Sequence, residues 1–415
     1  MTNGSAPDDN RMKSVLFIAE AATLAHIARP LALAATLDPA SYRVELACDD
    51  RCRWLTDRYP FPRHTLSSQH SGRFLEALAK GSPVFDAATL RAYVKDDLAL
   101  LARVKPDLVV GDFRLSLSVS ARLAQIPFLA ISNAYWSPYA RQRYVVGSLP
   151  MTRVLPIALA NLLFNAARPA AFAYHTLPLN RVRRENGLGS LGCDLRRIYC
   201  DGDWVAYADL PELFPLSHVP PNHRFLGPVI WSPPVRPPDW WDALPADRPI
   251  VYVTLGSSGL GSLLPQITAA LADLPLTVIA ATAATGTPFA APANAWVTDY
   301  LPGLEAARRS RLVICNGGSP TSQQALAAGV PIIGLATNLD QFLNMAAIES
   351  AGAGVVLRAD RFSANMLRAH VQRFLGGESG AAARQLATSA AACRCERNFP
   401  RLVAQAVAPG ESGGD

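Results

Sequence analysis

Residues 312–344 read LVICNGGSPTSQQALAAGVPIIGLATNLDQFLN. An apolar run, Leu312–Cys315, enters Asn316-Gly317-Gly318-Ser319-Pro320-Thr321 and then a stretch with helical character. A second apolar run, Pro331–Gly334, follows closely. Strand, turn, helix and strand in this order build parallel sheets with right-handed crossovers. The glycines let the backbone turn sharply and approach a ligand. Ser319 suits the N-cap and Pro320 the first helical position. Such a helix presents N–H groups and a dipole end worth about +0.5 charge beyond the strand, and a phosphate is its natural guest. By itself the Gly-Gly turn reads equally well as an ordinary strand-to-helix connection.

The same alternation runs outward in both directions. Ile250–Leu255, Thr277–Ala280 and Trp296–Val297 read as further strands of this half. In the first half, Ser14–Ala19, Arg43–Cys48, Leu108–Val110 and Phe128–Ile131 are short apolar strands. His26–Leu37, Asp86–Val104 and Ser116–Gln125 read as helices, and Pro106 closes the second of them. Between the halves lie Pro228, Pro233, Pro234, Pro237, Pro238, Pro245 and Pro249 with Trp231, Trp240 and Trp241. Proline at this density excludes helix and inner strand and predicts a semi-rigid connector. The expectation is a first domain over 1–228, a linker over 229–249, a second domain over 250–390, and a C-terminal helix and tail over 391–415. Two Rossmann-like α/β domains then face a cleft, with ligands beyond the carboxyl ends of the strands.

Composition agrees. The chain has 415 residues, 50% hydrophobic and 17% charged, with a net charge of +6. That excludes extended disorder and gives two domains ample core. No compact basic block reads as a nucleic-acid arm. The seven cysteines, Cys48, Cys52, Cys193, Cys200, Cys315, Cys393 and Cys395, have no zinc spacing and no regular framework, so a reducing cytoplasm is expected. Met1–Met12 is polar and carries Asp8 and Asp9, unlike a signal peptide. No apolar run approaches the ~20 residues of a membrane span. Leu155–Phe164 comes nearest; a buried helix is favoured there over one touching a bilayer surface, so peripheral membrane contact stays open.

The long segment around Asn316 resembles the donor signature of family-one, UDP-glycosyltransferase-like glycosyltransferases of the GT-B fold, HGGxGTxxEALxxGVPxxxxPxxxDQxxN. Asn316, Gly317, Gly318, Thr321, Gln324, Ala325, Leu326, Gly329, Val330, Pro331, Asp340, Gln341 and Asn344 stand in register with it. The likeness is greatest to bacterial members that glycosylate lipophilic natural products. It implies a nucleotide-sugar site in the second domain. Asn316 replaces the usual phosphate-binding His and stays uncharged. Pro320 replaces the third Gly. Gln324 replaces the Glu that holds the ribose, which leaves UDP and dTDP donors both open. Asp340 and Gln341 match the pair that reads sugar hydroxyls, and this reading is favoured over a helix-start Asp and a solvated Gln. Tyr300, with Leu301 beside it, matches the aromatic platform for the base. Gly256, Ser257 and Ser258 match the first donor-side loop, where hydroxyls and N–H groups meet the diphosphate.

In the first half, His26 opens a helix just past a strand. The resemblance makes it the catalytic base, although Ala25 and Pro30 fit the family segment loosely. Asp112, at the end of Leu108–Gly111, matches the acid that orients this His; a turn-capping Asp is the plain alternative. Tyr135, Trp136 and Tyr139, followed by the apolar and helical Leu149–Phe172, fit a pocket for a lipophilic acceptor. They fit core packing too.

The expected function is inverting, metal-independent transfer of a hexosyl group from a UDP- or dTDP-sugar to a hydroxyl of a lipophilic small molecule. No resident cofactor and no metal site is expected. The rivals are a sugar-nucleotide epimerase of the same fold, a transferase acting on a membrane lipid, and a non-catalytic nucleotide-sugar-binding protein, the last prompted by Asn316.

Overall fold

The computed structural model describes residues 11–256, 260–284, 288–377 and 380–408. The first sheet contains β1 (Lys13–Ala19), β2 (Tyr42–Cys48), β3 (Arg63–Thr65), β4 (Leu108–Asp112), β5 (Phe128–Ser132), β6 (Trp204–Tyr207) and β7 (His223–Phe225). Their order is β3-β2-β1-β4-β5-β6-β7, parallel throughout. The second sheet contains β8 (Ile250–Thr254), β9 (Thr277–Ala281), β10 (Ala295–Thr298), β11 (Leu312–Cys315), β12 (Ile332–Ala336) and β13 (Gly354–Arg358), in the order β10-β9-β8-β11-β12-β13, again parallel. The central strands are largely buried and mostly apolar because helices cover both faces of each sheet.

Seven helices matter for the site. In the first half they are α1 (Ala25–Ala34), α2 (Ala87–Val104), α3 (Leu117–Leu123) and α4 (Ile157–Glu185). The second half has α5 (Ser319–Ala327) and α6 (Leu339–Ser350), and α7 (Cys395–Val407) follows near the end of the chain. Helix α7 crosses back to the first sheet. Its Cys395, Phe399, Leu402, Val403 and Ala406 join the core of β1, β2 and α1, and the Phe399 ring lies 5.9 Å from that of Phe17. Within the linker, Trp241 is buried in the second core and Trp231 packs on the first.

Two expectations about the greasy segment change. Leu149–Phe172 is not one helix. A short helix at Met151–Val154 ends at Leu155, which precedes Pro156, and α4 then runs on to Glu185 with Pro169 and Pro178 inside it. Leu155–Phe164 is also not buried: Leu159, Leu162 and Leu163 are exposed, and within the run only Ala160 is fully enclosed. Apolar composition carries no information about which face of a helix finds a partner.

Candidate active site

A cavity of about 960 Å³ lies between the carboxyl ends of the two sheets and is lined by both halves of the chain. On the first sheet β1 and β4 are neighbours, with Ala19 opposite Asp112. Helix α1, after β1, and the last residue of β4 therefore open on one mouth. His26 Nδ1 lies 2.8 Å from Asp112 Oδ1. Arg29, one turn along α1, places Nε 2.8 Å from Oδ2 and a terminal nitrogen 2.8 Å from Oδ1, and its other terminal nitrogen donates to Asn133 Oδ1 at 2.6 Å. Burial alone raises the Asp112 carboxyl, but Arg29 and His26 outweigh it, so the group is held below its ordinary range. Phe113 has a left-handed backbone, φ 60°, rare for a bulky residue. That turn lays its ring flat on His26, centroids 4.7 Å apart. Neither Arg29 nor Phe113 was expected from the sequence. Arg29 was discoverable as the residue three along from His26 on the same helix face.

Across the cavity β8 and β11 are neighbours, with Thr254 opposite Cys315. Gly256 and Asn316 therefore leave adjacent strands. Gly256 has φ +62°, and a side chain there would come within 3.2 Å of the Asn316 amide. Ser257 and Ser258 lie outside the described residues. Gly317 has φ +78°; it does not line the cavity but turns the chain over Met345, and its carbonyl accepts from Asn344 Nδ2 at 2.8 Å. The N-cap of α5 is Gly318, not Ser319, and Pro320 is the second helical residue. The reason is Asn316, whose Oδ1 accepts from the Gly318 N–H at 3.0 Å and draws the turn one residue tighter. Gly318, Ser319, Pro320 and Thr321 line the cavity, so the positive end of the α5 dipole borders it.

Tyr300 and Leu301 line the same wall after β10. Gln324 lines it as well, while its amide nitrogen donates to the Trp231 carbonyl and to Ser232 Oγ of the linker. Gln341 is buried, not solvated: its Oε1 accepts from the N–H groups of Thr337 and Asn338, and Asn338 Oδ1 accepts from the Gln341 N–H, a reciprocal cap at the start of α6. Asp340 faces the first domain, and Trp136 Nε1 donates to its Oδ1 at 2.8 Å. Tyr135 and Trp136 line the cavity as expected. Tyr139 does not; its ring packs edge-on against His218 and His223. The apolar wall comes instead from Phe74, Leu78, Phe113, Phe164, Phe172 and Tyr199. Among the described residues, no group of three or more His, Cys, Asp or Glu is placed to hold a metal ion.

Comparisons with known proteins place the chain in a family. Residues 265–407 match the model for the C-terminal domain of erythromycin biosynthesis protein CIII-like proteins. A PGL/p-HBAD biosynthesis glycosyltransferase of Mycobacterium tuberculosis is 54% identical over 378 residues, 91% of this chain and 88% of that one. A PGL/p-HBAD biosynthesis rhamnosyltransferase of Mycobacterium bovis is 52% identical over 398 residues, 96% and 88% of the two chains. The chain belongs to this glycosyltransferase family. The solved structure of the glycosyltransferase VinC, in complex with dTDP, superposes with a TM-score of 0.69 at 20% identity, over 95% of this chain and 99% of that one. At that identity the likeness shows the fold, two parallel-sheet α/β domains of the GT-B type. The family membership makes the protein a glycosyltransferase of the natural-product type and sets the epimerase aside. Among the described residues of this glycosyltransferase, no helix is long and apolar enough to cross a membrane.

Proposed function

We propose that the protein transfers a hexosyl group, with inversion at the anomeric carbon, from a dTDP- or UDP-sugar to the hydroxyl of a lipophilic, ring-bearing acceptor. The observation that carries this reading is the position of the His26–Asp112–Arg29 cluster. It stands across one cavity from the turn at Asn316–Thr321. His26 takes the acceptor proton as the hydroxyl oxygen bonds to the anomeric carbon. The bond from that carbon to the nucleotide diphosphate breaks in the same displacement, and the diphosphate leaves with the electron pair. Single displacement inverts the centre. Asp112 fixes the ring so that Nε2 is the nitrogen left for the proton.

On the donor side, the α5 dipole, Asn316 and Thr321 supply fixed positive ends for the leaving diphosphate, which supports a mechanism without a metal. Tyr300 supplies a face for the base, and Asp340 with Gln341 stands where the sugar hydroxyls would sit. The dTDP in VinC and the rhamnosyl activity named for the relative favour a dTDP-deoxyhexose. The phenylalanines of the cavity wall suit a ring with an alkyl chain. Cysteines that are all free support a reducing, cytoplasmic setting. The test is incubation with dTDP-rhamnose, dTDP-glucose or UDP-glucose and a long-chain alkylphenol, read by mass spectrometry and by anomeric coupling in NMR. A glycoside with retained configuration, or none from any donor, overturns the reading.

A further inference from the structure

Helix α4 has two apolar faces. The inner one, with Phe164 and Phe172, lines the acceptor side of the cavity. The outer one has no partner among the described residues. Leu159, Leu162, Leu163, Tyr174 and Leu177 recur at helical spacing with Ala166 and Ala170 between them, and all fall within about 120° of the helix circumference. Leu162 is 67% exposed, and Val154, just before the helix, is 83% exposed. This strip is about 27 Å long at 1.5 Å per residue. Contiguous exposed apolar surface of this extent marks an interaction site.

The charge around the strip says what covers it. From Phe113 to Arg184 the chain contains nine arginines and no Asp or Glu; Glu185 ends the helix and pairs with Arg181 and with Arg91 of α2, so the surroundings of the strip keep a net positive charge. Arg141, Arg143, Arg153, Arg181 and Arg184 are exposed. A second copy of this chain packed symmetrically on the strip would bring these arginines against their own kind. An anionic lipid surface attracts them instead, while the leucines enter the boundary between headgroups and acyl chains. Among the described residues no helix is long and apolar enough to cross a membrane, so contact of α4 with a bilayer would run along its surface.

We propose that the outer face of α4 docks on an anionic bilayer, so that the cleft behind it takes the acceptor's alkyl chain from the lipid side. The second clause rests on the proposed lipophilic acceptor; the docking does not.

The test uses the full chain in vesicle sedimentation. The protein should pellet with vesicles of equal parts phosphatidylcholine and phosphatidylglycerol, be released by high salt, and bind pure phosphatidylcholine weakly. L162Q/L163Q replaces no residue that lines the cavity. It should lower partitioning by about tenfold or more, since burying one leucine is worth roughly that factor. Its melting temperature and its transfer to a soluble short-chain acceptor should match the wild type. If that variant misfolds, V154Q/L177Q at the ends of the strip makes the same measurement. Wild type that stays in the supernatant with anionic vesicles, or variants that pellet like wild type, overturn the docking. A wild-type dimer that the same substitutions split, with vesicle binding unchanged, also overturns it. Vesicle binding with no glycoside formed anywhere sinks the acceptor reading and leaves the docking standing. Transfer to the soluble acceptor without vesicle binding does the reverse.

Discussion

Arg29 lays its guanidinium across the carboxylate of Asp112, one hydrogen bond of 2.8 Å to each oxygen. The same Oδ1 meets His26 Nδ1. Asp112 is fully buried, and two cationic or proton-bearing partners hold it ionised. In the proposed mechanism its role toward His26 is orientation and field, with Arg29 bridging both carboxylate oxygens and one of its terminal nitrogens 3.3 Å from His26 Nδ1.

His26→Ala should remove most of kcat, by ~10²-fold or more, with donor affinity nearly intact. Asp112→Asn should cost less, because the amide keeps a contact but loses the anion. Steady-state kinetics with calorimetry of dTDP and UDP measure both. Near-normal turnover in His26→Ala would move the base elsewhere.

Arg29→Met should also lower kcat, and here the double variant is informative. If Arg29 acts through Asp112 and His26, then H26A/R29M turns over no more slowly than H26A alone. Losses that multiply instead would place Arg29 directly on a substrate. Since Arg29 is buried, thermal melts of each variant accompany the rates.

Tyr300→Ala should weaken nucleotide binding. Stacking on a base is worth ~1–3 kcal/mol, about five- to 150-fold in Kd. Among the described residues the aromatic ring near that of Tyr300 is Trp54 of the first domain, at 6.1 Å and tilted by 36°, and Tyr300 lines the cavity that a base would enter. Equal affinities for UDP and dTDP in wild type and variant would rule the platform out.

Turnover should survive chelation. In the proposed mechanism the leaving diphosphate would face the start of α5 with Asn316 and Thr321, whose fixed dipoles stand in for a metal. Loss of activity in EDTA, restored by magnesium or manganese, would refute this part of the mechanism.

What the sequence revealed follows from how each element is stabilised. Strands β8 and β11 are buried on both faces, so they appear as uninterrupted apolar runs. Strands β3, Arg63-His64-Thr65, and β7, His223-Arg224-Phe225, are three residues long at the sheet edges, and nothing in their composition separates them from loop. The signature around Asn316 located one wall of the cavity and the start of α5 within one residue; the difference at Ser319 goes with Asn316, whose side chain accepts from the Gly318 N–H. Asp112 was found because it ends an apolar strand. Phe113 was not, because its place over His26 depends on a left-handed backbone that its residue type disfavours. Tyr139 was misplaced because an aromatic-rich loop does not show in sequence which ring turns inward.

Asp209 was also invisible in the sequence, and it sits where the domains meet. It is 2% exposed and accepts from Asn133 Nδ2, from the Ala134 N–H and from Gln323 Nε2 of α5. Burial pushes its carboxyl up from 3.8 to about 6, against the pull of those donors. An acid whose folded pKa lies above its unfolded one binds more protons folded than unfolded between those two values. Stability from this group is therefore full below the unfolded pKa and declines as pH rises toward about 6. A rise of about two units corresponds to roughly 3 kcal/mol. Asp209→Asn has no proton to lose. Its amide meets the Asn133 and Gln323 amides, which lowers stability by an amount that does not vary with pH. The unfolding free energy of wild type minus that of the variant should thus fall by roughly 3 kcal/mol between about pH 4 and pH 7. Urea unfolding at several pH values measures it. A difference that is flat with pH would mean that Asp209 is already ionised in its buried site, with the donors from Ala134, Asn133 and Gln323 outweighing its burial.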